Sequence, residues 1–240
     1  MKIALCISGM PRSFKSTFAS VKRCILEPYQ PDVFISTWDS VRIDETWPET
    51  DSVEEMLDLY QPVKFDVERF DERRKRSFET NRFHRRADQA GRVVARTIPM
   101  YYKVYLANLH KHMHEQENSL KYDVVVRCRS DLLFSEPVTF YDRESSRVYF
   151  ASENSSNGVN DQFWYSDSNT SNQIASLYLN IPILWHAGAL LHGESLLRTF
   201  IENTALNAEF VSVPYVIQRS ALPGSADDSA DVPPHAPIHA

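Results

Sequence analysis

Hydrophobic and polar positions switch between two periods along this chain, and the switches mark out its elements. Residues 2–8, apolar from Ile3 to Ile7 and ended by Gly9 and Pro11, have the pattern of a strand buried on both faces. Ser13 then stands where a helix N-cap belongs, and Phe14, Phe18, Val21 and Ile25 follow at helical spacing to about Leu26. After Pro31, residues 32–37 read as a second strand. Strand, helix and strand in quick succession predict a parallel α/β sheet, where ligands sit beyond the carboxyl ends of the strands. That puts residues 8–12 and 37–39 on one rim.

The pattern continues with a short helix over 53–60, a strand over 63–67 and a helix resuming near Pro99, which is tolerable in a first turn. Tyr101, Tyr102, Tyr105, Leu106, Leu109 and Met113 make that helix's apolar stripe. Residues 147–151 read as a strand and 152–162 as a turn-rich loop, followed by a polar segment that turns helical near 171–179. A helix over 194–203 and a strand over 210–213 complete the reading. The fold class is therefore α/β, a mostly parallel central sheet flanked by helices, in one domain over residues 1–219. Residues 220–240 lack aromatics and are expected to be disordered.

Composition narrows the classes. With 42% hydrophobic residues the chain can bury a real core, and its net charge of −6 argues against a general nucleic-acid binder. Cys6, Cys24 and Cys128 show no disulfide or zinc spacing. The opening apolar run is shorter than a signal peptide's hydrophobic region, so a cytoplasmic location is expected. Residues 69–96 hold ten Lys or Arg against four acidic residues. This segment is either a solvated, partly helical excursion or a contact for a phosphorylated substrate or the surface of an inner membrane, to which the protein would be peripheral. His110 and His114 stand at i, i+4 without a third ligand, and surface histidines are the simpler reading.

The chemistry gathers in YDVVVRCRSDLLF, residues 122–134. A buried-type strand releases Arg127, Arg129 and Asp131 at period two, so the three share one face. Charged groups alternating out of an apolar run mark either a strand that opens into a polar site or a structural ion network. The first loop offers a second candidate. Gly9 and the later Lys15 and Ser16 match a phosphate-binding P-loop except at its second glycine, and Pro11 removes an amide donor. SGMPRSFKST also resembles the phosphosulfate loop of sulfotransferases, although Phe14 and Lys15 replace its small residues. In each of these readings Arg12 and the first helix amides make an anion site.

Four blocks in order carry a wider resemblance: KIALCISGMPR, DVFISTW, the run from MYYKVYLANLHKHMHEQENSLK into the 122–134 stretch, and NDQFWYSD with HGESLL downstream. They resemble nucleotide-sugar glycosyltransferases of the GT-A type in bacterial and viral polysaccharide synthesis, similar to the WavE-like lipopolysaccharide group. The resemblance implies a Rossmann-like GT-A fold and a nucleotide-sugar donor touching Ser8, Gly9, Arg12, Arg127 and Asp131. The acceptor would be a glycan or lipid-linked glycan. Where many such enzymes carry Asp-x-Asp to hold Mg or Mn, this chain has Arg129, Ser130 and Asp131. Asp131 is then the candidate metal or ribose ligand, and Arg127 or Arg129 would neutralise leaving-group charge.

Asp161 is the candidate base for the acceptor hydroxyl, or else a turn or cap residue. Asn160, Gln162, Trp164, His192 and Glu194 are candidate acceptor contacts, with Trp164 equally a core residue and Glu194 equally a helix-start residue. Two other functions fit the same residues: a PAPS-dependent sulfotransferase and a non-catalytic binding module of the same fold.

Overall fold

A computed structural model describes residues 1–39, 52–79, 94–141, 146–153 and 158–218. The expected tail, half of the basic segment and residues 154–157 of the turn-rich loop lie outside these residues. The chain runs β1 (Ile3–Gly9), α1 (Phe14–Val21), α2 (Glu27–Tyr29), β2 (Asp32–Trp38), α3 (Val53–Tyr60), β3 (Lys64–Glu68), α4 (Glu72–Glu79) and α5 (Val94–Glu117). It continues with β4 (Val124–Cys128), β5 (Leu132–Phe134), β6 (Arg147–Ala151), β7 (Phe163–Ser166), α6 (Ser168–Ala175), α7 (Leu177–His186), α8 (Gly193–Glu202), β8 (Asn207–Val211) and β9 (Tyr215–Ile217). A π-helical turn over Lys22–Leu26 joins α1 to α2.

Seven strands form one sheet in the order β3-β2-β1-β4-β7-β6-β8, and β5 pairs with β9 in a separate ribbon. β1 lies between β2 and β4, parallel to both, and β7 alone runs against its neighbours. The protein is thus α/β with a mostly parallel sheet flanked by helices. β1 and β4 are apolar on both faces because both are covered. Leu5, Ile7, Val124 and Val126 join α1 and the ribbon in one core, whereas Ala4, Cys6 and Val125 pack toward α5.

Four sequence expectations change here. The stretch 122–134 is two strands rather than one: β4 stops at Cys128, a turn carries Arg129 to Asp131, and β5 leaves the main sheet. FWYS, read as part of a polar segment, is β7. It was hidden because its four residues are all buried, which leaves no alternation to read. The strand expected over 210–213 overlaps the end of β8, which starts earlier and stops at Val211.

α5 starts at Val94, so Pro99 lies in its second turn. Its buried face runs through Tyr101, Val104, Asn108, Lys111 and Glu115, while Tyr105, Leu106 and Leu109 are half-buried and Met113 is exposed. The lysines on this face have partners. Lys103 Nζ donates to Asp66 Oδ2 (2.6 Å) and Glu68 Oε1 (3.0 Å), and Lys111 Nζ donates to Ser168 Oγ (2.7 Å) and Asn172 Oδ1 (2.8 Å). Long aliphatic stems are buried and the ammonium heads paired, which an apolar-stripe search does not detect.

Cys6, Cys24 and Cys128 are buried and free. His110 binds Asp66 (2.8 Å) and His114 packs on Phe34 and Tyr122. No helix among the described residues is long and apolar enough to cross a membrane.

Candidate functional site

A cavity of about 230 Å³ opens beyond the carboxyl ends of β1, β2 and β4. Parallel strands that end in register leave a crevice there, because each connection departs to one face or the other. Its floor is charged, with Arg12, Arg127, Arg129, Asp131 and Asp161, and its wall is apolar, with Met10, Trp38, Phe70, Pro99 and Met100.

The loop after β1 is fixed from three sides. Gly9 takes φ +113°, open to glycine and rarely to other residues, and its carbonyl accepts from Thr37 Oγ1 at 2.8 Å. Ser130 Oγ donates to the Met10 carbonyl (2.9 Å), and Thr17 Oγ1 donates to the Ser130 carbonyl (2.6 Å). The first loop and the turn after β4 are therefore stitched into one rigid rim. Lys15 pairs with Glu55 on the exposed side of α1, and Phe14 is buried in the core, so neither lines the cavity.

Arg129 and Asp131 form a closed pair. Arg129 Nε donates to Asp131 Oδ1 (2.9 Å) and its Nη2 to Oδ2, while Arg12 Nη1 approaches Oδ2 at 3.8 Å. Burial alone would raise the Asp131 carboxyl, but the guanidinium groups outweigh it and hold the pKa below the usual carboxylate value. Arg127 is different. It emerges on the α5 side of the sheet between Cys6 and Trp164, its neighbours on β1 and β7. It is 2% exposed, and its Nη1 makes one long bond to the Gln162 carbonyl (3.4 Å).

Asp161 shows the opposite balance to Asp131. Burial raises its pKa, Arg129 and Arg127 only partly offset this, and Glu194 adds to the rise. Its carboxylate lies where a side chain at residue 193 would go: a Cβ on Gly193 would stand 2.2 Å from Oδ2. α5 holds that partner segment through Tyr101, whose hydroxyl donates to the Gly193 carbonyl (2.7 Å), and Thr97, which donates to the Leu191 carbonyl (3.1 Å).

The cavity thus brings together Ser8, Gly9, Arg12, Arg127, Arg129, Asp131, Asp161 and His192. Four expected acceptor contacts do not line it. Asn160 is a buried brace: its Nδ2 donates to the Glu153 carbonyl and the Tyr215 hydroxyl, and its Oδ1 accepts from the Gln162 and Phe163 amides. Gln162 accepts from the Tyr215 hydroxyl (3.1 Å), and Trp164 is a core residue of β7. Glu194 is buried in the first turn of α8 and acts on the site through its charge on Asp161.

Phe70, Thr97 and Met100 were not expected, whereas Trp38 falls on the predicted rim. Trp38 had a legible signal, since it closes DVFISTW. Phe70 and the start of α5 come from outside the strand pattern and had none.

The donor set does not suit a divalent cation. Both Asp131 oxygens accept from Arg129, Asp161 stands beside two guanidinium groups, and no cluster of three metal-ligating side chains occurs among the described residues.

Residues 104–225 match the model of a family described as a domain of unknown function (DUF7796), just over half of the 240 residues. No curated protein matches the sequence.

Proposed function

The chain belongs to the DUF7796 family, and we propose that it transfers a sugar from a nucleotide-sugar donor to a glycan or lipid-linked glycan acceptor in surface polysaccharide synthesis. The observation that carries this reading is the cavity itself: three guanidinium groups and a carboxylate of raised pKa under an aromatic wall, at the carboxyl ends of parallel strands. Phosphate oxygens suit the arginines, and a base or sugar ring suits Trp38 and Phe70. The cavity is smaller than the roughly 300–1,000 Å³ of common ligand pockets. In this reading the diphosphate and sugar fill it, and the base lies at the rim.

In the reaction, the acceptor oxygen forms a bond to the anomeric carbon as the bond from that carbon to the diphosphate breaks. The departing nucleoside diphosphate takes the electron pair, and Asp161 takes the acceptor's proton. A carboxylate whose pKa is raised is a better base than an ordinary aspartate, and the two arginines beside Asp161 favour its ionised form against the effect of burial. The sheet, with one reversed strand beside β4 and a two-stranded ribbon past its end, supports a GT-A-type arrangement. The sulfotransferase alternative draws less support, because Phe14 and Lys15 turn away from the cavity.

The test is a melting-temperature screen of the full chain against UDP, GDP, CMP and adenosine 3′,5′-bisphosphate. A ligand at a hundred times its Kd adds about 2.7 kcal/mol to the native state, a rise of several degrees. The proposal expects that rise with a sugar-carrier nucleotide. A rise with the bisphosphate alone would favour sulfotransfer, and no rise with any nucleotide would contradict the transferase reading.

A further inference from the structure

Of the three guanidinium groups in the cavity, Arg129 is bonded twice to Asp131 and Arg12 approaches the same carboxylate. Arg127 Nε and Nη2 have no hydrogen-bond partner among the described residues, although the side chain is almost wholly buried. These two nitrogens lie along one edge of the guanidinium, the edge that binds two oxygens of one phosphate side by side. Ser8 lines the same cavity, 4% exposed, and its Oγ also lacks a partner. Cys6 stands beside Arg127 in register, and Ser8 lies two residues further along β1 on the same face. Three unsatisfied polar atoms therefore belong to two residues that line one cavity.

Buried polar groups are nearly always satisfied, and unsatisfied donors on a buried cation are among the least tolerable exceptions. Asp161 faces Arg127 through its charge but bonds neither nitrogen, so the two donors mark the place of a missing acceptor. We infer that Arg127 and Ser8 receive the diphosphate of a phosphorylated ligand directly, and that this binding needs no divalent cation. The choice of a diphosphate over a single phosphate rests on Arg12, a second guanidinium at the more open side of the cavity. Asp131 is occupied by its arginines and leaves no carboxylate edge for a bridging metal. The inference deepens the donor reading above and rests on it only for what the diphosphate is attached to.

The test titrates inorganic pyrophosphate into the full chain by calorimetry, once in EDTA and once with Mg²⁺, with orthophosphate as comparison. The expected result is pyrophosphate binding in EDTA, tighter than orthophosphate, with Mg²⁺ changing Kd by less than about threefold. Arg127→Met should weaken pyrophosphate at least ~10-fold, the size expected for losing hydrogen bonds to a charged group. The unliganded variant should melt no lower than wild type, because methionine removes a buried cation with two unsatisfied donors while Arg129 still faces Asp161. An arginine with a merely structural role would show a lower melting temperature and unchanged pyrophosphate binding.

If Arg127→Met does not fold, Ser8→Ala decides, with several-fold weaker binding expected and unchanged binding contradicting the inference. Binding only with Mg²⁺, or no pyrophosphate binding at all, would also overturn it. Pyrophosphate binding in EDTA without binding of any nucleotide would sink the transferase reading and leave this inference standing. Nucleotide binding that requires a metal would do the reverse.

Discussion

Asp131 and Asp161 line one cavity, and their surroundings drive them in opposite directions. Asp131 has a lowered folded pKa, so its contribution to stability is present above the ordinary carboxylate range and is lost as pH falls through the lowered value. Asp161 has a raised folded pKa, so it favours folding when protonated, and that contribution is lost as pH rises through the raised value. Asp161→Asn should therefore be at least as stable as wild type at neutral pH, with the difference vanishing in acid, as read by melting temperature across pH. The same variant should lose about 10²–10⁴-fold in transfer rate, the usual worth of a general base. Lower stability at neutral pH would mark Asp161 as a structural residue. At this scale the sequence was partly legible. Period-two spacing brought Arg127, Arg129 and Asp131 together, but which arginine holds Asp131 depends on the turn after Cys128, and spacing carries no trace of it.

α5 is the element that ties the site to the sheet. It spans 24 residues, packs across β1, β2 and β3, and brings Thr97, Pro99 and Met100 to the cavity. Tyr101 reaches from it to the Gly193 carbonyl, which positions the segment against which Asp161 rests. Tyr101→Phe leaves that buried carbonyl without its partner and should cost about 1–2 kcal/mol in denaturant unfolding. Transfer rate should fall more than donor affinity, because Tyr101 acts through Asp161 and not on the donor. Equal losses in rate and affinity would contradict this positioning role.

Elements with a clear period were readable, and α3 begins and ends where the pattern predicts. Those whose burial is uniform or whose buried face is polar were not. β7 is buried throughout, and α5 buries Lys103 and Lys111 because β3 and α6 supply their partners from far along the chain. Long-range pairing of that kind overrides local pattern.

For the whole molecule, the strand-helix-strand opening was enough to foresee a mostly parallel sheet and a site beyond its strand ends. The sequence could not indicate that β7 would reverse, or that the ribbon of β5 and β9 would form apart from the main sheet. The ribbon follows from the turn after Cys128, which takes the chain out of the main sheet. Arg127 is left in the crevice, buried, with two guanidinium nitrogens unsatisfied among the described residues, and the functional reading depends on it. The most direct measurement is a crystal structure of the full chain grown with the nucleoside diphosphate that gives the largest melting shift. The reading predicts the diphosphate against Arg127 and Ser8, with the base toward Trp38 and Phe70 and Asp131 still held by Arg129. A ligand bound elsewhere, or a diphosphate bridged by a metal on Asp131 with Arg129 displaced, would contradict it.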